Sequence, residues 1–597
     1  MTTPANPETP AVASAETRLS LGRWSAYWFW GVLALGVVVF SPAIRAPFWL
    51  DDYAQIAMVE GTYPAPRGPI DLYDFVREPE RDMLVDRGLL PWWTDPHYKL
   101  RFFRPLSSSM LWAEHSLTYH GALAMHLVSF AWWVVALALL RTLLRRMFSE
   151  RVVMISVFVY ALAPCHALPL AWIANREVLV SLVFGLCGSL SLVRLADGTS
   201  RSPLLAATAT LSFALALAGG EYGMCFGGFA LAFAVVRSDL SLGKRAASLA
   251  SFAVPAAAYL ATRVALGYGT AGSGFYHDPL RSPLVFLAGA PRRFATLMVD
   301  AWTTIDFDEF AADVPWWGLA ALFSIGVALV YRPIRATLRE LDPTARKNAQ
   351  WLLFGSMLSL VPLLAVAASA RLIAAALVGV APVIALVIDR AWYPADPSER
   401  AGRLRLVAAL FAFFHCLHGP TWAFILTRGQ HMAAVDFTER AHWLHERVGD
   451  TSEANVIIAR AGWGSVLFAP LAIDAHGKPP KMWRTLVPSG HALMLRRDSR
   501  TIDLVIPHAA GFFPVTANDL FRDPAAPLHA GDVVDVTGMR ATVVDLGEVG
   551  PARLRFEFDR DANDPSLTWV IEFYDGYRDS PPPAIGFGKQ LDAFTEH

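Results

Sequence analysis

Long apolar runs alternate with short charged stretches over the first two thirds of the chain. Runs cover residues 24–44, 122–140, 152–167, 203–218, 223–236, 246–266, 316–331, 350–368, 372–388 and 406–426, and another follows Glu177 to about residue 195. A helix rising about 1.5 Å per residue crosses a hydrocarbon core of about 30 Å in roughly 20 residues. The pattern therefore predicts an all-α polytopic membrane protein of about 11 transmembrane helices. A further apolar stretch, 284–303, is broken by Arg292, Arg293 and Asp300. Paired arginines at mid-depth are costly, so it reads as an interfacial helix.

From residue 427 the pattern changes. Segments 455–459, 501–506, 532–537, 541–545 and 553–558 alternate apolar and polar residues between Gly, Pro and Asp, as strands do. The expected organisation is a disordered N-terminus over 1–23, a transmembrane domain over 24–426 with one large loop over 45–119, and a β-rich domain over 427–597.

Basic clusters orient the chain. Arg141, Arg145, Arg146 and Arg151 follow the second run, and Arg237, Lys244 and Arg245 follow the sixth. Arg332, Arg335 and Arg339 follow the eighth, and Arg390, Arg400 and Arg403 the tenth. Short loops rich in Lys and Arg stay cytoplasmic. The 45–119 loop, the Asn175-Arg176-Glu177 loop, Glu221 and the β-rich domain are then expected outside.

Composition agrees: 54% of residues are hydrophobic and 17% charged, where soluble proteins carry about a quarter. A net charge of -1 and the lack of a P-loop give no sign of nucleic acid. Four cysteines without CxxC spacing read as packing residues. Trp92, Trp93, Trp132, Trp133, Trp316 and Trp317 fit interfacial belts.

Candidate chemistry gathers at the expected outer face. Phe48-Trp49-Leu50-Asp51-Asp52-Tyr53 follows the first run. A carboxylate here could act as general base toward an acceptor hydroxyl, or simply begin a helix. Adjacent aspartates face different ways on a helix or a strand, so one is expected to be catalytic and the other structural or metal-facing. The sequence does not separate them, and Asp52 is the narrow choice for the proton. Arg101 and Arg104 lie three apart and could share a helix face. Arg104 and Arg176 are the expected grip on a phosphate, since guanidinium forks suit it. His120, His126, Asn175 and Glu221 complete the candidate substrate-binding set. Arg176 could pair with Glu177. A divalent cation at Asp51 or Asp52 is compatible with carboxylate chemistry.

These motifs have a family likeness. Phe48–Tyr53 after the first span, Phe103-Arg104-Pro105-Leu106 in a long loop, Tyr119-His120 and His126 entering the second span, and Trp172–Glu177 before the fourth occur in one order. That order resembles the polyprenyl-phosphate-dependent membrane glycosyltransferases of the GT-C superfold. It is most similar to bacterial relatives of the protein O-mannosyltransferases and of the transmembrane mannosyltransferases with tetratricopeptide repeats. The resemblance covers roughly residues 24–240. It implies an inverting transfer from a polyprenyl-phosphate-linked sugar, outside a bacterial inner membrane, with Asp51 or Asp52 as base or metal contact. The tetratricopeptide repeats are absent and a β-rich domain stands in their place, so the acceptor, protein or glycan, is left open.

Two other classes compete. A transporter or flippase would place ionisable residues and broken helices at mid-membrane, often in two related halves. Here the charge lies at the span ends. A non-catalytic envelope scaffold would need far fewer spans.

Overall fold

The computed structural model describes residues 27–119, 121–197, 202–279, 282–306, 314–394, 402–488, 490–507, 511–513 and 519–591. Among them, seven helices are long and apolar enough to cross a membrane: Ala122–Leu144, Ile173–Ala196, Leu242–Ala265, Trp316–Glu340, Pro343–Ala365, Ala370–Trp392 and Gly402–Val448. Glu150–Ala161 and Pro164–Ala171, bent by 51°, make an eighth if taken as one span. Three of the expected eleven spans are shorter apolar helices, Tyr27–Val39, Pro203–Gly219 and Glu221–Val236. The last two are cut short by the Gly219-Gly220 break and the 3₁₀ turn Glu221–Met224. The 284–303 segment forms helix Pro283–Thr303, which is not one of the seven.

The expected boundary at 427 is displaced. Helix Gly419–Val448 runs through it, and the first strand beyond begins at Asn455. Ala434, Phe437, Ala441 and Leu444 are buried at spacings of three and four. That is a helical stripe, not a strand alternation.

Thirteen strands are described. β1 (Asp74–Val76), β2 (Lys99–Arg101) and β3 (Gly269–Ala271) form a small sheet that ties the 45–119 loop to the segment after helix Leu242–Ala265. The C-terminal region holds β4 (Asn455–Arg460), β5 (Met482–Val487), β6 (Ala492–Arg496), β7 (Thr501–Val505), β8 (Val533–Val536), β9 (Met539–Leu546), β10 (Pro551–Phe558), β11 (Leu567–Phe573), β12 (Gly576–Asp579) and β13 (Gly588–Leu591). Six pair antiparallel in the order β13-β6-β7-β10-β9-β8, and four in the order β12-β11-β4-β5. In the second sheet β11, β4 and β5 run parallel. Helix Trp463–Ala472 joins β4 to β5, as a parallel crossover requires. Both strands are buried along their whole length, the mark of a sheet covered on two faces.

One apolar core lies among the membrane helices. A second is shared by the 45–119 loop and the C-terminal region: Leu50, Trp92, Trp93 and Leu111 pack in one cluster with Trp483, Phe513 and Phe556. Trp92 and Trp93 are therefore not interfacial. They are 3% and 1% exposed, with ring centroids 5.5 and 4.8 Å from Phe513. Trp133 is buried in the helical core, whereas Trp316 and Trp317 are exposed.

Because that core belongs to both segments, Trp93→Ala is expected to cost about 3–5 kcal/mol. It should lower the thermal midpoint in detergent and expose loop and C-terminal region together to limited proteolysis. Cleavage confined to the loop would show that the two fold independently.

Candidate active site

Asp51 and Asp52 open helix Asp51–Glu60. The chain enters it through a closed turn. The Asp52 N–H donates to the Trp49 carbonyl at 3.1 Å, and the Trp49 N–H donates back to Asp52 Oδ2 at 2.9 Å. Asp52 Oδ1 accepts the Ala174 N–H at 2.8 Å. Asp52 is 1% exposed, and both its oxygens are engaged by backbone. Asp51 points elsewhere, as adjacent helical residues must. Its carboxylate makes no hydrogen bond or ion pair to another described residue, and the charges that draw on it are Arg104 and Arg371. Burial pushes the Asp51 carboxyl up to about 6 against the pull of those two arginines. Burial likewise raises Asp52 to about 7, opposed by the Trp49 and Ala174 N–H groups and reinforced by the Asp51 charge.

Arg104 precedes helix Pro105–Thr118. Its guanidinium pairs with Glu177 at 3.1 Å and Glu221 at 2.9 Å. It also lies over the rings of Tyr73 and Phe102, 4.8 and 4.7 Å from their centroids. Glu221 accepts the Phe103 N–H as well. The Tyr73 hydroxyl donates to the Ala174 carbonyl at 2.7 Å, so the Ala174 peptide is held on one side by Asp52 and on the other by Tyr73. Four segments distant in sequence thus meet at one mouth: 49–52, 73–104, 174–177 and 221.

The other expected residues lie differently. Arg101 ends β2 and grips Asp74 with two bonds of 2.7 and 2.9 Å. It shares no helix face with Arg104, because the strand ends before that helix begins. Arg176 is 2% exposed. It donates to Ser129 Oγ at 2.8 Å, to the Met125 carbonyl and to Glu114. Its partner is Glu114 rather than Glu177, and its donors are committed within the fold instead of being free for a phosphate. Asn175 is buried, and its Oδ1 has no partner among the described residues. His126 is fully buried, its ring nitrogens at the Leu170 and Ala46 carbonyls, where it ties helix Ala122–Leu144 to the end of the first apolar run. His120 lies outside the described residues.

Two residues at the site were passed over in the sequence. Arg371 sits in the 3₁₀ turn Ala370–Ile373, half-buried and without an ion pair or side-chain hydrogen bond to a described residue. Its one signal was a lone cation between two apolar runs. Tyr276 is half-buried, with the Phe102 ring 5.6 Å away. Burial and the Asp51 charge push its hydroxyl up to about 12.

Among the described residues no group of three or more His, Cys, Asp or Glu side chains is arranged to hold a metal. Asp52 has spent both oxygens on backbone N–H groups.

No family model matches the chain, and no curated protein matches it. Solved structures similar to it include the oligosaccharyltransferase AglB of Archaeoglobus fulgidus, tethered to an acceptor peptide. That match has 14% identity, 77% of this chain and 64% of the other covered, and a TM-score of 0.41. The same enzyme with an inhibitory peptide and dolichol-phosphate gives 14% identity, 76% and 64% coverage and a TM-score of 0.41. ArnT from Cupriavidus metallidurans bound to undecaprenyl phosphate gives 12% identity, 78% and 86% coverage and a TM-score of 0.39. The chain spans about 64% of the archaeal enzyme's length.

A carboxyl raised from 3.8 to about 6 holds its proton more tightly in the folded state. It favours folding below its ordinary range, and that contribution is lost as pH rises through about 6. Asp51→Asn removes the charge without breaking a hydrogen bond to a described residue. It should melt above the parent at pH 8, with the difference gone by pH 4; thermal melts at the two pH values in one detergent test this.

Proposed function

We propose that the protein is a membrane glycosyltransferase. In this reading it transfers a sugar from a polyprenyl-phosphate donor to an acceptor hydroxyl on the extracytoplasmic face, with inversion. Asp51 is the general base. The observation that carries the reading is the contrast within the acidic pair: Asp52 is bound on both oxygens, while Asp51 has no hydrogen bond or ion pair to a described residue and lies in the field of two arginines. A base raised to about 6 is ionised at neutral pH yet basic enough to take a proton as the acceptor oxygen attacks.

Arg371 is the cation for the donor phosphate, because Arg104 already serves two carboxylates and Arg176 is locked in the fold. Arg104 shapes the mouth and adds to its positive field. The prenyl chain runs along the bundle near helix Pro283–Thr303, whose Leu284, Val285 and Leu287 are exposed. Its binding helps to orient the sugar. The donor class rests on the ordered motifs of the 45–119 loop and the 172–177 segment.

The test uses purified full-length protein in detergent or nanodiscs and a panel of radiolabelled polyprenyl-phosphate sugars. Release of polyprenyl phosphate and transfer to an acceptor extract are both followed. Asp51→Asn should lower kcat by about 10²–10⁴ with the donor KM little changed. Arg371→Ala should raise the donor KM at least tenfold. A parent protein inert toward every donor would sink the assignment and favour a transporter or scaffold.

A further inference from the structure

The turn that delivers Asp51 is strained. Leu50 has φ 47° and ψ −111°, close to the first central position of a type II′ turn at about +60° and −120°, where glycine is the usual occupant. It is one of three non-glycine residues at positive φ among those described. A branched side chain there crowds its own backbone. Such a conformation persists only where surrounding contacts over-determine it.

Two sets of contacts do so here. The first is the Asp52 carboxylate, which reaches back across Leu50 to the Trp49 N–H and sideways to the Ala174 N–H. The second is the Leu50 side chain, 3% exposed and packed in the core shared with the C-terminal region. A Cβ on Gly464, in helix Trp463–Ala472, would lie only 3.2 Å from Leu50 Cδ2. The turn is thus gripped by the 174 segment on one side and by the C-terminal region on the other, with Asp51 as its next residue.

We infer that Asp52 and Leu50 are positioning residues, which hold a glycine-type turn in a non-glycine sequence and so fix the start of helix Asp51–Glu60, and with it Asp51, at the mouth. Asp52 exchanges no proton in the reaction. The C-terminal region contributes to turnover through Leu50, as one jaw of the clamp, without touching donor or acceptor. The kinetic part rests on Asp51 being the base; the conformational part stands apart from that reading.

The conformational part is tested by melting four full-length proteins: parent, Asp52→Asn, Leu50→Gly and the double variant. Glycine adopts positive φ without strain, whereas the Leu50 turn can relax and recover its strain once the latch is gone. The fall in thermal midpoint caused by Asp52→Asn should therefore be larger in the Leu50→Gly background than in the parent. Additive losses would overturn the inference, whatever the donor proves to be.

The kinetic part uses the polyprenyl-phosphate sugar that the parent turns over. Asp52→Asn should lower kcat ten- to hundredfold, leave the donor KM within threefold, and keep the acid limb of the pH–rate profile, because Asp51 still titrates. Adding Leu50→Gly should recover at least fivefold in kcat. Leu50→Gly alone should keep at least fivefold more kcat than Leu50→Val, although valine preserves more of the buried side chain. An acid limb lost with Asp52→Asn would make Asp52 the base. A double variant no faster than Asp52→Asn, or valine outperforming glycine, would reduce both residues to a purely structural role. If Asp51→Asn turned over normally while the midpoints behaved as expected, only the assignment of Asp51 as base would fall.

Discussion

The mouth of this protein is organised around one buried carboxylate that does not reach solvent. Placing Asp52 in a 1% exposed position costs several kcal/mol of lost hydration unless the charge is well satisfied. Two backbone N–H groups satisfy it, and they belong to segments more than a hundred residues apart. The connections continue from there. The Ala174 peptide gives its N–H to Asp52 and its carbonyl to Tyr73; the Tyr73 ring lies under Arg104; and Arg104 bridges Glu177 and Glu221. Each member fixes the next, so the loop ends are held as one rigid frame although no single segment could hold its own shape.

Helix Asp51–Glu60 uses nearly every direction around its axis. Leu50, Ala54 and Ala57 belong to the core shared with the C-terminal region. Tyr53 meets helix Gly419–Val448 through a hydrogen bond to Thr438 and ring contact with Phe437. Gln55 turns toward the Leu72 carbonyl, and Asp52 toward Ala174. Asp51 makes none of these contacts, and the charges that act on it are those of Arg104 and Arg371. The extension of helix Gly419–Val448 beyond the apolar run matters for this reason: its amphipathic end carries the C-terminal region and braces the acidic helix. Arg440 then locks that end to Glu572 of β11, which also accepts from Ser465 of helix Trp463–Ala472.

Features that depend on local pattern were legible in the sequence. The apolar helices, strands β4, β7, β8, β9 and β10 and the acidic pair follow from hydropathy, alternation and position at the end of a run. Features that depend on distant partners were not. Arg176 looks like a free membrane-edge cation until Glu114, Ser129 and Met125 surround it. Trp92 and Trp93 look interfacial until Phe513 closes over them. Helix residues 427–448 look like the start of a strand-rich region, because charged residues hide the stripe of Ala434, Phe437, Ala441 and Leu444. Arg371 is a single residue in a turn, and only the fold lets its charge act on Asp51. A sequence gives both aspartates the same chemistry; only the fold distinguishes them, with both Asp52 oxygens accepting backbone N–H groups and Asp51 bonded to no described residue.

In the proposed transfer Arg104 is held between two carboxylates, Glu177 and Glu221, which leaves Arg371, without an ion pair to a described residue, as the cation for Asp51 and an incoming phosphodiester. During transfer the acceptor hydroxyl gives its proton to Asp51, the new glycosidic bond forms, and the bond from sugar to phosphate oxygen breaks. One negative charge leaves the carboxylate and one appears on the departing phosphate. The total is conserved, and the charge moves within the field of Arg104 and Arg371. Fixed dipoles and charges of this kind stabilise developing charge without reorganising at the moment of reaction. A second tight partner for Asp51 would forfeit that advantage, because a bond holding the carboxylate ionised must be broken as the proton arrives. The clamp on Asp52 therefore does for Asp51 what a direct hydrogen bond could not: it fixes where the carboxylate points while leaving both of its oxygens open to the acceptor.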